Sequence, residues 1–209
     1  MNFQALKYSY NPAVNTGDYT LLLLHGTGGN ERDLIPLARE LGDSFNILSL
    51  RGNVSENGMP RFFRRLGMGV FDEADLHFRT EEMVMFVKEL AEKEGFDASK
   101  IIALGYSNGA NIAGATLVNY PDFLAGAILY RPMQPFKQIS DFENHTQVPV
   151  LMTTGKVDPT IRLSDTENYA QLLTQAGFDV TSYLLNTSHN LTQEDVVLTS
   201  QWLKKQGFQ

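Results

Sequence analysis

Apolar positions along the chain fall into two patterns. Short unbroken runs at Tyr19 to Leu24, Phe45 to Leu50, Ala125 to Tyr130 and Val150 to Thr154, with a further run ending at Leu104, predict strands buried on both faces. Asp179 to Leu185 predicts a last strand, and the alternating stretch Phe3 to Tyr10, closed by Asn11-Pro12, an edge strand. Between these runs apolar residues recur at helical spacing, as with Met83, Phe86, Val87 and Leu90 in a helix over Glu73 to Glu94. Ala110 to Val118, Arg162 to Ala176 (stopped by Gly177) and about Thr192 to Lys205 predict three more helices. Asn30 predicts the cap of a further helix of about ten residues, with Asp33 favourable in its first turn. Asn15 to Asp18 is a polar turn, and Arg51 to Asp72 shows little periodicity. Strands alternating with helices imply an α/β fold: a mainly parallel sheet with helices on both faces. No repeat, low-complexity tract or linker divides the chain, so residues 1–209 are expected to form a single domain.

In such sheets ligands gather beyond the carboxyl ends of the strands. Gly26-Thr27, Ser107, Asp158 and His189 each fall just after a predicted strand, so four chemically useful segments share one rim. Gly105-Tyr106-Ser107-Asn108-Gly109 is a Gly-x-Ser-x-Gly pattern between strand and helix, the context of a nucleophile elbow. The sharp turn strains the serine backbone and requires neighbours without side chains, which Gly105 and Gly109 supply.

A serine hydroxyl needs a base to take its proton, and neutral histidine suits that task. Of four histidines, His25 reads as a structural residue of its loop, His77 as a surface or packing residue of its helix and His145 as a solvated loop residue. His189, after the last strand and before the last helix, is the candidate base. Asp158 is the natural carboxylate to orient it, and the order Ser107, Asp158, His189 is that of the α/β-hydrolase arrangement. Oxyanion donors are expected at the backbone N–H of Asn108, after the nucleophile, and of Thr27, in the Gly-rich loop after the early strand.

Charge and composition narrow the alternatives. A net charge of −7 argues against nucleic acid or an anionic membrane as partner. No cysteine is present, which removes thiolate metal sites, disulfides and a cysteine nucleophile, and suits a cytoplasmic protein. No leader-like pattern opens the sequence, and no apolar tract approaches the roughly 20 residues of a membrane span. Without His-x-x-x-His or a compact His/carboxylate cluster, neither a metal nor another cofactor is expected. Gly26-Thr27-Gly28-Gly29 lacks the third glycine of a dinucleotide loop and the Gly-Lys-Ser/Thr of a phosphate loop.

Three segments carry a resemblance to the α/β-hydrolase superfamily and, within it, to the phospholipase/carboxylesterase family of small bacterial serine esterases. They are Leu24-His25-Gly26-Thr27-Gly28-Gly29-Asn30-Glu31, Gly105 to Asn111, and Gly155-Lys156-Val157-Asp158-Pro159. Arg61-Phe62-Phe63-Arg64-Arg65 with Gly69-Val70-Phe71-Asp72 resembles the MhqD-like branch. The resemblance implies an α/β-hydrolase fold with a minimal lid, and hydrolysis of carboxylic or thiol esters by Ser107, Asp158 and His189. The family pattern has Gly before the histidine, where this chain has Ser188. A left-handed backbone there would strain the loop by about 1–3 kcal/mol.

Phe62, Phe63, Arg65, Met68, Phe71, Met133 and Phe136 are candidates to line a substrate pocket formed by the 51–72 segment and the Pro132 to Phe136 loop, with simple core packing the equal alternative for the apolar ones. Arg51, Arg61, Arg64, Arg65 and Arg131 either pair with surface carboxylates or, facing the pocket, favour substrates carrying a carboxylate. A small-molecule ester is the expected partner, and a homodimer is compatible with the sequence. Ester, thioester, lysophospholipid and lactone hydrolysis share this machinery, and a non-catalytic binding protein on the same fold is the reading from a different class.

Overall fold

The computed structural model describes residues 3–15, 17, 19–67, 69–137 and 147–209. Met68, His145, and Thr16 and Asp18 of the predicted polar turn lie outside them. In chain order the elements are β1 (Lys7–Asn11), β2 (Thr20–Leu24), α1 (Ile35–Glu40), β3 (Asn46–Arg51), β4 (Val54–Glu56), β5 (Met59–Arg61), β6 (Arg65–Gly67) and β7 (Val70–Phe71). They continue with α2 (Glu73–Glu94), β8 (Ile101–Tyr106), α3 (Asn108–Asn119), β9 (Gly126–Tyr130), β10 (Pro149–Gly155), α4 (Leu163–Gln175), β11 (Asp179–Leu185) and α5 (Gln193–Lys205).

The leucine run of β2 explains the architecture. Successive side chains leave a strand on opposite faces, so a strand that is apolar throughout must be covered on both. Leu22 and Leu24 join one core with Met83, Val87 and Leu90 of α2, Ile112 of α3 and Leu173 of α4. Leu21 and Leu23 join the opposite core, with Ala38 of α1 and Val196, Trp202 and Leu203 of α5. All four leucines are fully buried, and each contributes roughly 1.5–3 kcal/mol relative to exposure. The sheet order is β1-β3-β2-β8-β9-β10-β11, parallel except for the edge strand β1, which pairs antiparallel with β3. The fold is that of an α/β hydrolase. Among the described residues no helix is long and apolar enough to cross a membrane.

Two expectations need correction. Asn30 does not start a ten-residue helix: the segment after it runs as turns, with Asp33 N–H donating to Asn30 O and Ile35 N–H to Arg32 O, and α1 has six residues. Pro36 has no N–H to give to Arg32, so the regular ladder begins only with Ala38 N–H to Leu34 O at 2.9 Å. The 51–72 segment is not featureless either. It holds two hairpins, β4–β5 and β6–β7. Asn57 (φ 53°) and Gly58 (φ 81°) turn the first, as an Asn-Gly hairpin requires.

Candidate active site

The sheet reverses its winding between β2 and β8: after β2 the chain moves to β3 on one side, and β8 lies on the other. The crevice at such a switch point is where ligands bind in open α/β sheets. Ser107 stands there with φ 53° and ψ −112°, a region a non-glycine residue avoids unless its surroundings enforce it. They do. Ser107 N–H donates to Tyr130 O at 2.9 Å, and its carbonyl takes Asn111 N–H at 3.0 Å, so strand passes to helix within one residue. A Cβ on Gly105 would sit 2.4 Å from Gly109 O, and one on Gly109 would sit 1.9 Å from Leu24 O. The elbow closes only because both are bare.

His189 arrives on the loop between β11 and α5. Its Nε2 lies 2.9 Å from Ser107 Oγ, and its Nδ1 lies 2.6 Å from Asp158 Oδ2. A carboxylate only accepts, so the partners assign the proton to Nδ1 and leave Nε2 free to accept from the serine hydroxyl. The Asp158 side chain is fully buried and that of His189 about a quarter exposed. Asp158 Oδ1 accepts Thr160 N–H at 2.7 Å, which fixes the carboxylate plane. Ser188 does not have a positive φ, so the loop carries no left-handed strain at that position. It passes so close to β10 that a Cβ on Gly155 would meet Ser188 O at 2.0 Å.

Thr27 lies in the loop after β2, and Asn108 follows Ser107 at the start of α3. Among the described residues neither backbone N–H has a protein acceptor, as expected of Asn108 at the first position of α3. The surprise is how both residues are held. Thr27 Oγ1 accepts from Arg61 Nη1 at 2.6 Å, Gly28 N–H donates to Pro60 O at 2.9 Å, and Asn108 Oδ1 accepts Phe62 N–H at 2.8 Å. Residues 60–62, expected only as a pocket wall, thus tie down both loops that carry the unpaired N–H groups. Asn57-Gly58 was the sequence signal for the hairpin that positions them.

His25 supports the same loop. Gly52 N–H donates to its Nε2 at 3.1 Å, while Nδ1 contacts Gly26 O at 2.6 Å. Burial pushes its pKa down, the neutral form these partners need. His77 stacks on Phe136 at 4.3 Å.

The expected pocket residues divide. Phe71, Met133 and Phe136 line a cavity of about 320 Å³ together with Gly69, Val70, Glu73, Gln134, Lys137, Asp165 and Asn168. Phe62 and Phe63 instead belong to the core, 2% and 0% exposed, packed on His25 and Phe71. Arg65 pairs with Glu56 at 2.7 Å. The other arginines also have carboxylate partners: Arg51 with Glu31, Arg61 with Glu56, Arg64 with Asp75 and Arg131 with Asp195. Among the described residues no His, Cys, Asp and Glu side chains cluster as a metal-binding group.

Comparison with known proteins bears on the family and the fold. Residues 13–206 match the model of the phospholipase/carboxylesterase family. The chain is 45% identical over 190 residues to MhqD of Bacillus subtilis (strain 168), covering 91% of this chain and 94% of that one. Among solved structures, a Bacillus cereus carboxylesterase superposes with a TM-score of 0.93 at 43% identity, covering 96% of this chain and 94% of that one. YahD, solved with malic acid, superposes with a TM-score of 0.87 at 30% identity, covering 96% and 99%.

Proposed function

The chain belongs to the phospholipase/carboxylesterase family, and from that premise we propose that it is a serine hydrolase cleaving carboxylic esters of small or short-chain substrates through an acyl-enzyme on Ser107. One observation carries the reading: His189 bridges Ser107 Oγ and Asp158 Oδ2 at 2.9 and 2.6 Å. Ser107 Oγ attacks the ester carbonyl carbon while His189 Nε2 takes the hydroxyl proton. Asp158 holds the ring and stabilises the imidazolium. The carbonyl oxygen gains charge against the N–H groups of Thr27 and Asn108, each worth about 10²–10³-fold in turnover. The tetrahedral adduct collapses, the C–O bond to the alcohol breaks, and the alcohol leaves with the proton from Nε2. Water, deprotonated by the same nitrogen, then attacks the acyl carbon; the bond to Ser107 Oγ breaks as Nε2 returns the proton to it, and the carboxylic acid leaves.

The cavity beside Phe71, Met133 and Phe136 is suited to the acyl group. Met133 N–H donates to Asn111 Oδ1 at 2.7 Å, which ties its wall to the first turn after the nucleophile. Its volume of about 320 Å³ is near the lower end of the usual 300–1,000 Å³ for ligand pockets, which favours short chains over long ones. Thioesters and lysophospholipids are the alternative substrates for the same three residues. Hydrolysis of p-nitrophenyl esters of increasing chain length, beside CoA thioesters, tests the choice. A Ser107→Ala variant with undiminished turnover of p-nitrophenyl acetate, and no labelling of Ser107 by a fluorophosphonate in the wild type, would sink the reading.

A further inference from the structure

Arg131 follows directly on Tyr130, the residue whose carbonyl receives Ser107 N–H, and it too has a positive φ, 54°. That backbone drives its side chain into the protein, where both it and Asp195 are fully buried. The guanidinium meets the carboxylate as a fork, Nη1 to Oδ1 at 2.8 Å and Nη2 to Oδ2 at 2.8 Å. Nη1 also donates to Thr153 Oγ1 at 2.6 Å, and Nη2 to Asn190 O at 2.9 Å. Asp195 Oδ2 in turn accepts Thr192 N–H at 2.8 Å, closing the first turn of α5. Burial alone would raise the Asp195 pKa, but the bonds from Arg131 and Thr153 hold it below the usual carboxylate range.

We infer that the buried Arg131–Asp195 pair is a positioning device that locks the His189 loop to the ends of β9 and β10 and so keeps Nε2 in reach of Ser107; this rests on the serine-hydrolase reading above. Stability alone does not account for the pair, because well-packed apolar residues commonly serve as well in such a place. Arg131 Nε, buried without a partner, points the same way. What an apolar pair could not do is hold the carbonyl one residue past the catalytic imidazole. The planar fork fixes the direction of Nη2 as a lysine would not. Without it, the loop keeps the backbone bond from Val157 N–H to Thr187 O at 3.1 Å, the bond from Tyr106 OH to His189 O at 3.1 Å, that from Thr187 Oγ1 to Asn190 Oδ1 at 3.2 Å and the contact of the imidazole with Asp158.

The test compares Arg131→Met/Asp195→Asn, which removes both charges and keeps an acceptor for α5, with Arg131→Lys and Ser107→Ala. Each is measured for kcat and KM on p-nitrophenyl acetate, for thermal melting, and for the rate of fluorophosphonate labelling. The double variant is expected to melt close to wild type while kcat falls about 100-fold, the scale of a 1 Å misplacement. KM should stay within about twofold, and labelling should slow in parallel with kcat. Arg131→Lys, whose single nitrogen cannot span Asp195 and Asn190 O as the planar fork does, should lose about tenfold. A folded double variant with wild-type kcat overturns the inference alone. If the double variant does not fold, wild-type kcat in Arg131→Lys overturns it instead. Wild-type turnover by Ser107→Ala would overturn the hydrolase reading, and this inference with it.

Discussion

Gly109→Ala opposes two effects of known size. Alanine is the better helix former by about 1 kcal/mol, so propensity alone forecasts a more stable α3. The added Cβ, however, would stand 1.9 Å from Leu24 O and 2.7 Å from His25 O. Ordinary C···O contact begins near 3.3 Å, so the first turn of α3 must move by roughly 1.4 Å. Leu24 cannot yield, because β2 is paired on both sides, with Leu24 opposite Leu50 and Gly105. The helix start lifts instead, carrying Ser107 and Asn108 N–H with it. A displacement on that scale takes Ser107 Oγ out of hydrogen-bond range of His189 Nε2, now 2.9 Å away. We expect kcat/KM on p-nitrophenyl acetate to fall at least 10²-fold, and urea denaturation to show a net loss of about 1–3 kcal/mol, the usual cost of overpacking. A variant that gains stability and keeps kcat/KM within twofold would refute the account of the elbow as a steric lock.

Three further outcomes follow from the same contacts. Ser107→Gly relieves the strained φ of 53° and should raise the unfolding free energy by about 1–2 kcal/mol while abolishing acyl-enzyme formation; an unchanged or lower denaturant midpoint would contradict stored strain. Burial lowers the His25 pKa in the folded state, so its contribution is complete above the unfolded value near 6.5 and is lost as pH falls below it. The urea midpoint should therefore drop between pH 7 and 5.5, and that slope should flatten in His25→Asn; an equal slope in the variant would exclude this histidine as its source. Gly58→Val puts a β-branched residue at φ 81°, costing about 1–2 kcal/mol. Through Pro60 and Arg61 it should also lower kcat more than it raises KM, and steady-state kinetics showing the reverse would count against the hairpin as a brace.

What the sequence disclosed depended on the range of the interaction. Buried strands announce themselves as runs like Leu21-Leu22-Leu23-Leu24, and the long helix Glu73–Glu94 begins and ends where Asp72 and Gly95 cap it. The elbow was legible because a local steric demand, bare positions at Gly105 and Gly109, has a local signature. Ser107, Asp158 and His189 were legible as strand-end residues in a familiar order, although their meeting is a fact of sheet order. Pairing across distance was not legible. Nothing near Arg61 in the sequence says that it reaches Thr27, and nothing near Arg131 says that it reaches Asp195 and Asn190. Phe62 and Phe63 misled for the same reason: aromatic residues in an aperiodic segment fit a pocket wall or a core equally well until the His25 and Phe71 rings are in place.

The two buried arginines also explain an oddity of charge. In a protein of net charge −7, guanidinium groups enclosed at the strand ends need a purpose that outweighs their desolvation. A parallel sheet places its strand ends accurately, but the chemistry resides on the loops beyond them, and a loop has few ladder bonds to hold it. Near Ser107 two such loops are each bonded to a guanidinium. Arg61 grips the Thr27 side chain from one side, and Arg131 grips the Asn190 carbonyl from the other. Arg131 is neutralised by Asp195 alone, whereas Arg61 shares Glu56 with Arg65. An apolar residue could fill either space but could not specify a direction, and direction is what the unpaired N–H of Thr27 and the Nε2 of His189 require. Loosening one brace should therefore slow the chemical step while leaving the strand ladder, and most of the protein's stability, in place.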